Sequence, residues 1–151
     1  MRMKRFNPVA LLLAIAFLVG AALAAEPQIS CPASITVQQA IANTPPGWQA
    51  SQNRNIPTSL ATVSFFDGPP SEEADLVYEH ESRTGKERTA VWRFTPGSKR
   101  GIWLQCGYAA TTVVLAQRLP GDVSECTVSY KTDVFIAGMP EVTAIRCRAQ
   151  R

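Results

Sequence analysis

Four cysteines, at positions 31, 106, 126 and 147, set the tightest limit on how this chain folds. None has a second cysteine or a histidine close by in sequence, and the chain holds one histidine, His80. Zinc sites prefer close Cys or His pairs, and dithiol redox centres need a C-x-x-C. Neither pattern is present. An even number of cysteines in an exported chain reads instead as two disulfides. Such staples need an oxidising compartment, and the first residues offer the route to one.

The chain opens MRMKRFNPVALLLAIAFLVGAALAAEPQ. Arg2, Lys4 and Arg5 form a positive start, residues 9–24 are apolar apart from Gly20, and Ala22-Leu23-Ala24 puts small residues where a signal peptidase reads. This is the pattern of a secretory signal peptide over residues 1–24, leaving a mature domain of residues 25–151. Cleavage after Ala24 fits first and after Ala25 second. The alternative, a retained anchor, is disfavoured because the apolar run is shorter than the ~20 residues a spanning helix needs. Cys31 lies too far from that run to be a lipoprotein's lipidated cysteine, so no stable membrane anchor is expected after processing.

Charge is reinterpreted once the leader is gone. The full chain has net charge +3, and the three cations of the leader account for all of it. The mature part is balanced at 12 basic and 12 acidic side chains. A basic pI therefore does not indicate a nucleic-acid or membrane-surface binder. No Lys/Arg run with interleaved aromatics remains to bind nucleic acid.

Period-2 alternation is the main structural signal. Ile102, Leu104, Cys106 and Tyr108 share one face of a strand. Cys126, Val128 and Tyr130 share one face of another, with Thr127, Ser129 and Lys131 on its polar side. Residues 111–119 are rich in β-branched side chains. Residues 35–39, 60–66, 90–95 and 142–147 are further strand candidates, and Trp48 marks the start of a short one. Pro45-Pro46-Gly47, Asp67-Gly68-Pro69-Pro70, Pro96-Gly97-Ser98 and Pro120-Gly121-Asp122 fall between them as turns. Residues 71–78 suit one or two helical turns, with Ser71 as a cap. The pattern predicts one all-β domain: an antiparallel sandwich or small barrel of about seven to eight short strands, stapled by two disulfides.

Geometry ranks the disulfide pairings. If residues 102–108, 111–119 and 125–131 form a meander, the middle strand holds Cys106 and Cys126 ~9.5 Å apart, beyond the ~4.4–6.8 Å of bridged Cα atoms. A turn back through residues 133–140 would set Tyr130 opposite Thr143 and Cys126 opposite Cys147, leaving Cys31 for Cys106. The competing set, Cys106–Cys126 with Cys31–Cys147, holds if residues 111–119 are not the intervening strand.

Catalytic patterns are missing. There is no G-x-S-x-G, no H-E-x-x-H and no phosphate-cradling glycine loop. Two disulfides leave no free thiol to act beside His80. No catalytic residue, metal or cofactor is expected, and a role for His80 is not legible. Residues 67–81, DGPPSEEADLVYEHE, concentrate acids, while residues 83–100 carry cations. The acids suit either a partner-contact loop or a solvated surface paired with those cations. Asp67, Glu72, Glu73 and Asp75 are the candidate contact residues. Trp103, opposite the Cys106 face, is a candidate anchor or part of a second buried face.

The order of landmarks adds a resemblance. Cys31-Pro32, Ile35-Thr36-Val37, Gly47-Trp48, Phe65-Phe66-Asp67-Gly68-Pro69-Pro70 and Val91-Trp92 come first. Trp103-Leu104-Gln105-Cys106-Gly107-Tyr108, Leu119-Pro120, Cys126-Thr127-Val128-Ser129-Tyr130 and Ile145-Arg146-Cys147 follow. The chain resembles a family of small exported proteobacterial proteins of unknown function, known as hypothetical proteins of enterobacterial pathogenicity islands. The resemblance implies a periplasmic location and, through members encoded near type VI secretion clusters, an immunity protein that blocks a toxin attacking the cell wall. It carries over no catalytic residue. Two functions are therefore weighed: a non-catalytic binding or inhibitor module with a protein partner, and a structural or accessory envelope protein without one.

Intact-mass measurement of the exported protein is expected to show a chain beginning at Ala25 or Glu26. A full-length chain recovered from membranes would overturn the signal-peptide reading.

Overall fold

The computed structural model describes residues 29–51 and 55–150, so the leader predicted over residues 1–24 lies outside the described residues. Among the described residues nine antiparallel strands form two sheets. The first contains β1 (Ser34–Val37), β2 (Ile56–Asp67), β3 (Asp75–Leu76), β6 (Ile102–Tyr108) and β7 (Val114–Arg118). Its order is β1-β2-β6-β7, with β3 also pairing β2. The second sheet has the order β4-β5-β8-β9: β4 (His80–Thr84), β5 (Glu87–Arg93), β8 (Val123–Ile136) and β9 (Met139–Ala149).

The alternation seen in the sequence is what drives the two sheets together. Leu104, Cys106 and Tyr108 of β6, with Val63 and Phe65 of β2, turn inward from one sheet. Ala90 and Trp92 of β5, with Cys126, Val128 and Tyr130 of β8, meet them from the other. Phe65 is fully buried, with ring centroids 5.0 Å from Trp92 and 5.4 Å from Phe94. Two polar tips inside this layer find backbone acceptors. Trp92 Nε1 donates to the Leu76 carbonyl at 2.8 Å, and Tyr108 Oη to the Pro32 carbonyl at 3.1 Å. Burial without such partners would cost free energy, so these bonds also fix where β3 and the chain before β1 lie.

Both disulfides follow the favoured pairing, Cys31–Cys106 and Cys126–Cys147. Cys126 stands directly opposite Cys147 in the β8–β9 ladder. Tyr130 faces Val142 instead of Thr143, because a bulge after the Ser129–Ala144 pair absorbs one residue. The meander behind the ranking does not form. β7 pairs β6, but β8 crosses to the second sheet and pairs β5. Cys106 and Cys126 therefore stand on different sheets, each beside its own partner.

Three further details differ from expectation. Trp48 starts no strand; its amide closes a turn onto the Pro45 carbonyl, and its side chain is 76% exposed. Residues 71–78 yield one 3-10 turn, Pro70–Glu72, followed by β3. β4 is a strand where the acidic segment suggested loop. It returns into β5 through Gly85-Lys86, with Gly85 at φ 58°, which suits a two-residue hairpin turn with glycine first.

The two disulfides close loops of very different length, 75 and 21 residues. Chain-entropy reasoning assigns about 4.5 kcal/mol to the first and about 3.3 kcal/mol to the second. Chemical denaturation should therefore show Cys31→Ala/Cys106→Ala losing roughly 1 kcal/mol more than Cys126→Ala/Cys147→Ala. The reverse order would mean that native contacts, not loop closure, decide the difference.

Candidate functional site

β2 ends at Asp67 and the chain must return at once to lay β3 against it. Gly68 makes the turn at φ 102°, a conformation that side-chain-bearing residues rarely adopt. A Cβ there would lie 2.9 Å from the guanidinium of Arg100, so the Arg100 side chain would have to shift away. The loop closes when the Asp67 amide donates to the Ala74 carbonyl at 3.0 Å. Glu73 ends the 3-10 turn in the left-handed region, at φ 55°.

The four candidate acids divide into two kinds. Asp67 and Glu72 both bind Arg100, at 3.9 Å for Asp67 and through a close hydrogen bond for Glu72. Asp67 also accepts a hydrogen bond from Ser98 Oγ at 3.1 Å. These two carboxylates are committed within the molecule. Glu73 and Asp75 are exposed and make no ion pair among the described residues.

Strand register brings Asp75 and Trp103 together. Asp75 pairs Phe66, Phe66 pairs Trp103, and Trp103 pairs Arg118, so the four side chains form one cross-strand row over β3, β2, β6 and β7. The row lies on the face of the first sheet away from the core, because Phe65 and Leu104 point inward. Phe66 is nonetheless buried and Trp103 half-buried. Trp103 is thus part of a small second apolar patch, and its buried Nε1 finds no hydrogen-bond acceptor among the described residues. Neither Phe66 nor Arg100 is legible from the sequence as a member of this site. Their roles follow from register and from a loop contact.

The remaining acids of the segment pair with the cations that follow them. Glu81 holds Arg88 at 3.1 Å, and Arg88 also lies over the Tyr130 ring at 4.1 Å. Arg93 joins Glu79 and Glu125, and Arg148 joins Glu125 from β9. Burial pushes the Glu125 carboxyl upward, but hydrogen bonds from Arg93 and Arg148 outweigh it and hold the group below the usual carboxylate range. His80 stands exposed in β4 opposite Val91. Among the described residues no group of His, Cys, Asp and Glu is arranged to hold a metal, and no helix is long and apolar enough to cross a membrane.

The candidate site is thus a surface, a β scaffold presenting an acidic turn beside a half-buried aromatic patch. Residues 52–148, which carry β2 through most of β9, match the family of type VI secretion system Tli immunity proteins. The chain belongs to that family. It is also 32% identical over 129 residues to an uncharacterised 16.3 kDa protein from the trpG 5′ region of Azospirillum brasilense, covering 82% of this chain and 83% of that protein. No solved structure matches it.

Arg100→Ala is expected to free the Asp67–Ala74 turn while changing global stability by less than about 1 kcal/mol, the usual range for exposed ion pairs. Hydrogen exchange should quicken at the Glu72, Glu73 and Asp67 amides and stay unchanged in β6. Unchanged exchange in the turn would mean that backbone closure alone holds it.

Proposed function

We propose that this protein is a periplasmic immunity module that binds a type VI toxin acting on the cell wall and blocks it without chemistry of its own. The observation that carries the reading is the family match, which spans nearly the whole sandwich. Two disulfides suit an oxidising compartment such as the periplasm. A disulfide-stapled scaffold also suits an inhibitor, since loops held rigid in advance lose less entropy on binding.

The contact surface in this reading comprises Asp67, Glu72, Glu73, Asp75 and Trp103. Arg100 holds Asp67 and Glu72 in place and so shapes the turn. Glu73 and Asp75 meet the partner's basic groups, and the Phe66–Trp103 patch supplies apolar contact beside them. Exposed acids of this kind act chiefly on encounter rate and specificity.

The test uses the oxidised mature protein and, as the candidate partner, the product of any toxin-like reading frame found next to its gene. Glu73→Lys/Asp75→Lys should weaken affinity about tenfold at low salt by slowing encounter, and the loss should shrink as salt screens the charges. The melting temperature should stay nearly constant, because neither carboxylate makes an ion pair among the described residues. Unchanged affinity at low salt would remove the acidic turn from the contact surface. A toxin that neither binds nor is inhibited by the wild-type protein would favour an accessory envelope role instead.

A further inference from the structure

Among the described residues β7 is the least guarded sheet edge. Exposed edges carry unpaired N–H and C=O groups, and proteins blunt them with charge, proline, bulges or shortness. Among the described residues the other outer strands use these devices. β1 and β3 have only four and two residues. β4 carries His80, Glu81 and Arg83, and β9 carries Pro140, Glu141, Arg146 and Arg148 with several bulges. β7 reads Val-Leu-Ala-Gln-Arg, is exposed along its whole length, has no proline or bulge, and carries a single charge, Arg118, at its end. Val114 is 47% exposed and Leu115 40%.

The direction of its free groups follows from the β6 ladder. The Leu119 amide donates to the Ile102 carbonyl at 2.8 Å, which makes Ile102 and Leu119 a hydrogen-bonded pair. Bonded and non-bonded pairs alternate in an antiparallel ladder. Gln117 and Leu115 therefore bond β6, opposite Leu104 and Cys106. The backbone groups of Val114, Ala116 and Arg118 point outward.

We propose that β7 pairs with β7 of a second copy of this chain, antiparallel about a two-fold axis at Ala116. Of the possible two-fold registers, this one engages the outward groups of all three residues. A register centred on Leu115 or Gln117 engages two within the strand, and one centred on Val114 or Arg118 engages one. Centring on Arg118 would also set two arginines face to face. Centring on Ala116 instead places each Arg118 opposite Val114 of the other copy, where its aliphatic stem covers an exposed apolar side chain. The first sheet then runs on through the axis as one continuous sheet. A single strand pair buries less than the ~1,200 Å² of a standard interface, so the dimer is weak and concentration-dependent. The inference does not depend on the immunity reading.

Sedimentation equilibrium of the full chain, expressed with its own leader and purified oxidised, reads the result. The wild-type average mass should rise toward twice the monomer with concentration. Ala116→Pro deletes an outward amide and leaves the β6 ladder intact, since proline is tolerated where an edge N–H faces solvent. It should stay monomeric with a nearly unchanged melting temperature. Val114→Lys sets like charges opposite each other across the axis and should also be monomeric. Val114→Lys/Arg118→Glu turns that repulsion into attraction and should restore the dimer. A wild-type protein that remains monomeric at its highest soluble concentration overturns the proposal. So does an Ala116→Pro variant that dimerises like wild type, or a failure of the double variant to rescue.

Discussion

Everything in this molecule depends on Phe65 having somewhere dry to go. Its ring is fully buried between the sheets and touches Trp92 and Phe94 from the opposite layer. Full burial of such a side chain is worth roughly 1.5–3 kcal/mol, and aromatic pairs add about 0.5–1.5 kcal/mol beyond that. The same strand position fixes the outer surface. With Phe65 turned inward, Phe66 must turn outward, and the Phe66–Trp103 patch follows from the two-residue period of β2. Core and candidate contact surface are therefore two sides of one register. A slip by one residue would exchange them.

The sequence was most legible where one strand face meets the core and the other meets water. In β6 and in residues 126–131 of β8 the hydropathy alternates, and the strand assignments stand. β4 escaped because both of its faces are polar and exposed, as suits an edge, so no alternation exists to be read. Its signal lay in the Gly85-Lys86 turn instead. β7 was rightly placed beside β6, but β8 was expected on its far side and joins the other sheet instead. Local composition reports that a segment is extended; it does not report which sheet receives the next strand. The disulfide ranking survived that error because Cys126 and Cys147 depend on the β8–β9 hairpin alone.

For the surface, the segregation of acids in residues 67–81 from cations in residues 83–100 correctly implied ion pairing between them. It did not tell which acids stay free. That division rests on Arg100, which reaches Asp67 and Glu72 only because Gly68 leaves room for its guanidinium. Glu73 and Asp75 lie outside the reach of Arg100 and make no ion pair among the described residues. Trp103 could be placed on the far face from Cys106 by counting residues, but its burial needed Phe66 beside it.

The cysteines join first to second and third to fourth along the chain. For a polypeptide threaded across a membrane amino end first, this is the order in which thiols arrive. Cys31 waits alone until Cys106 follows, and once that pair is joined, Cys126 meets no free thiol before Cys147. An oxidase acting on the emerging chain then forms the native bonds simply by joining each newcomer to the thiol already there. For a chain exported in that way, such a connectivity would need no reshuffling catalyst.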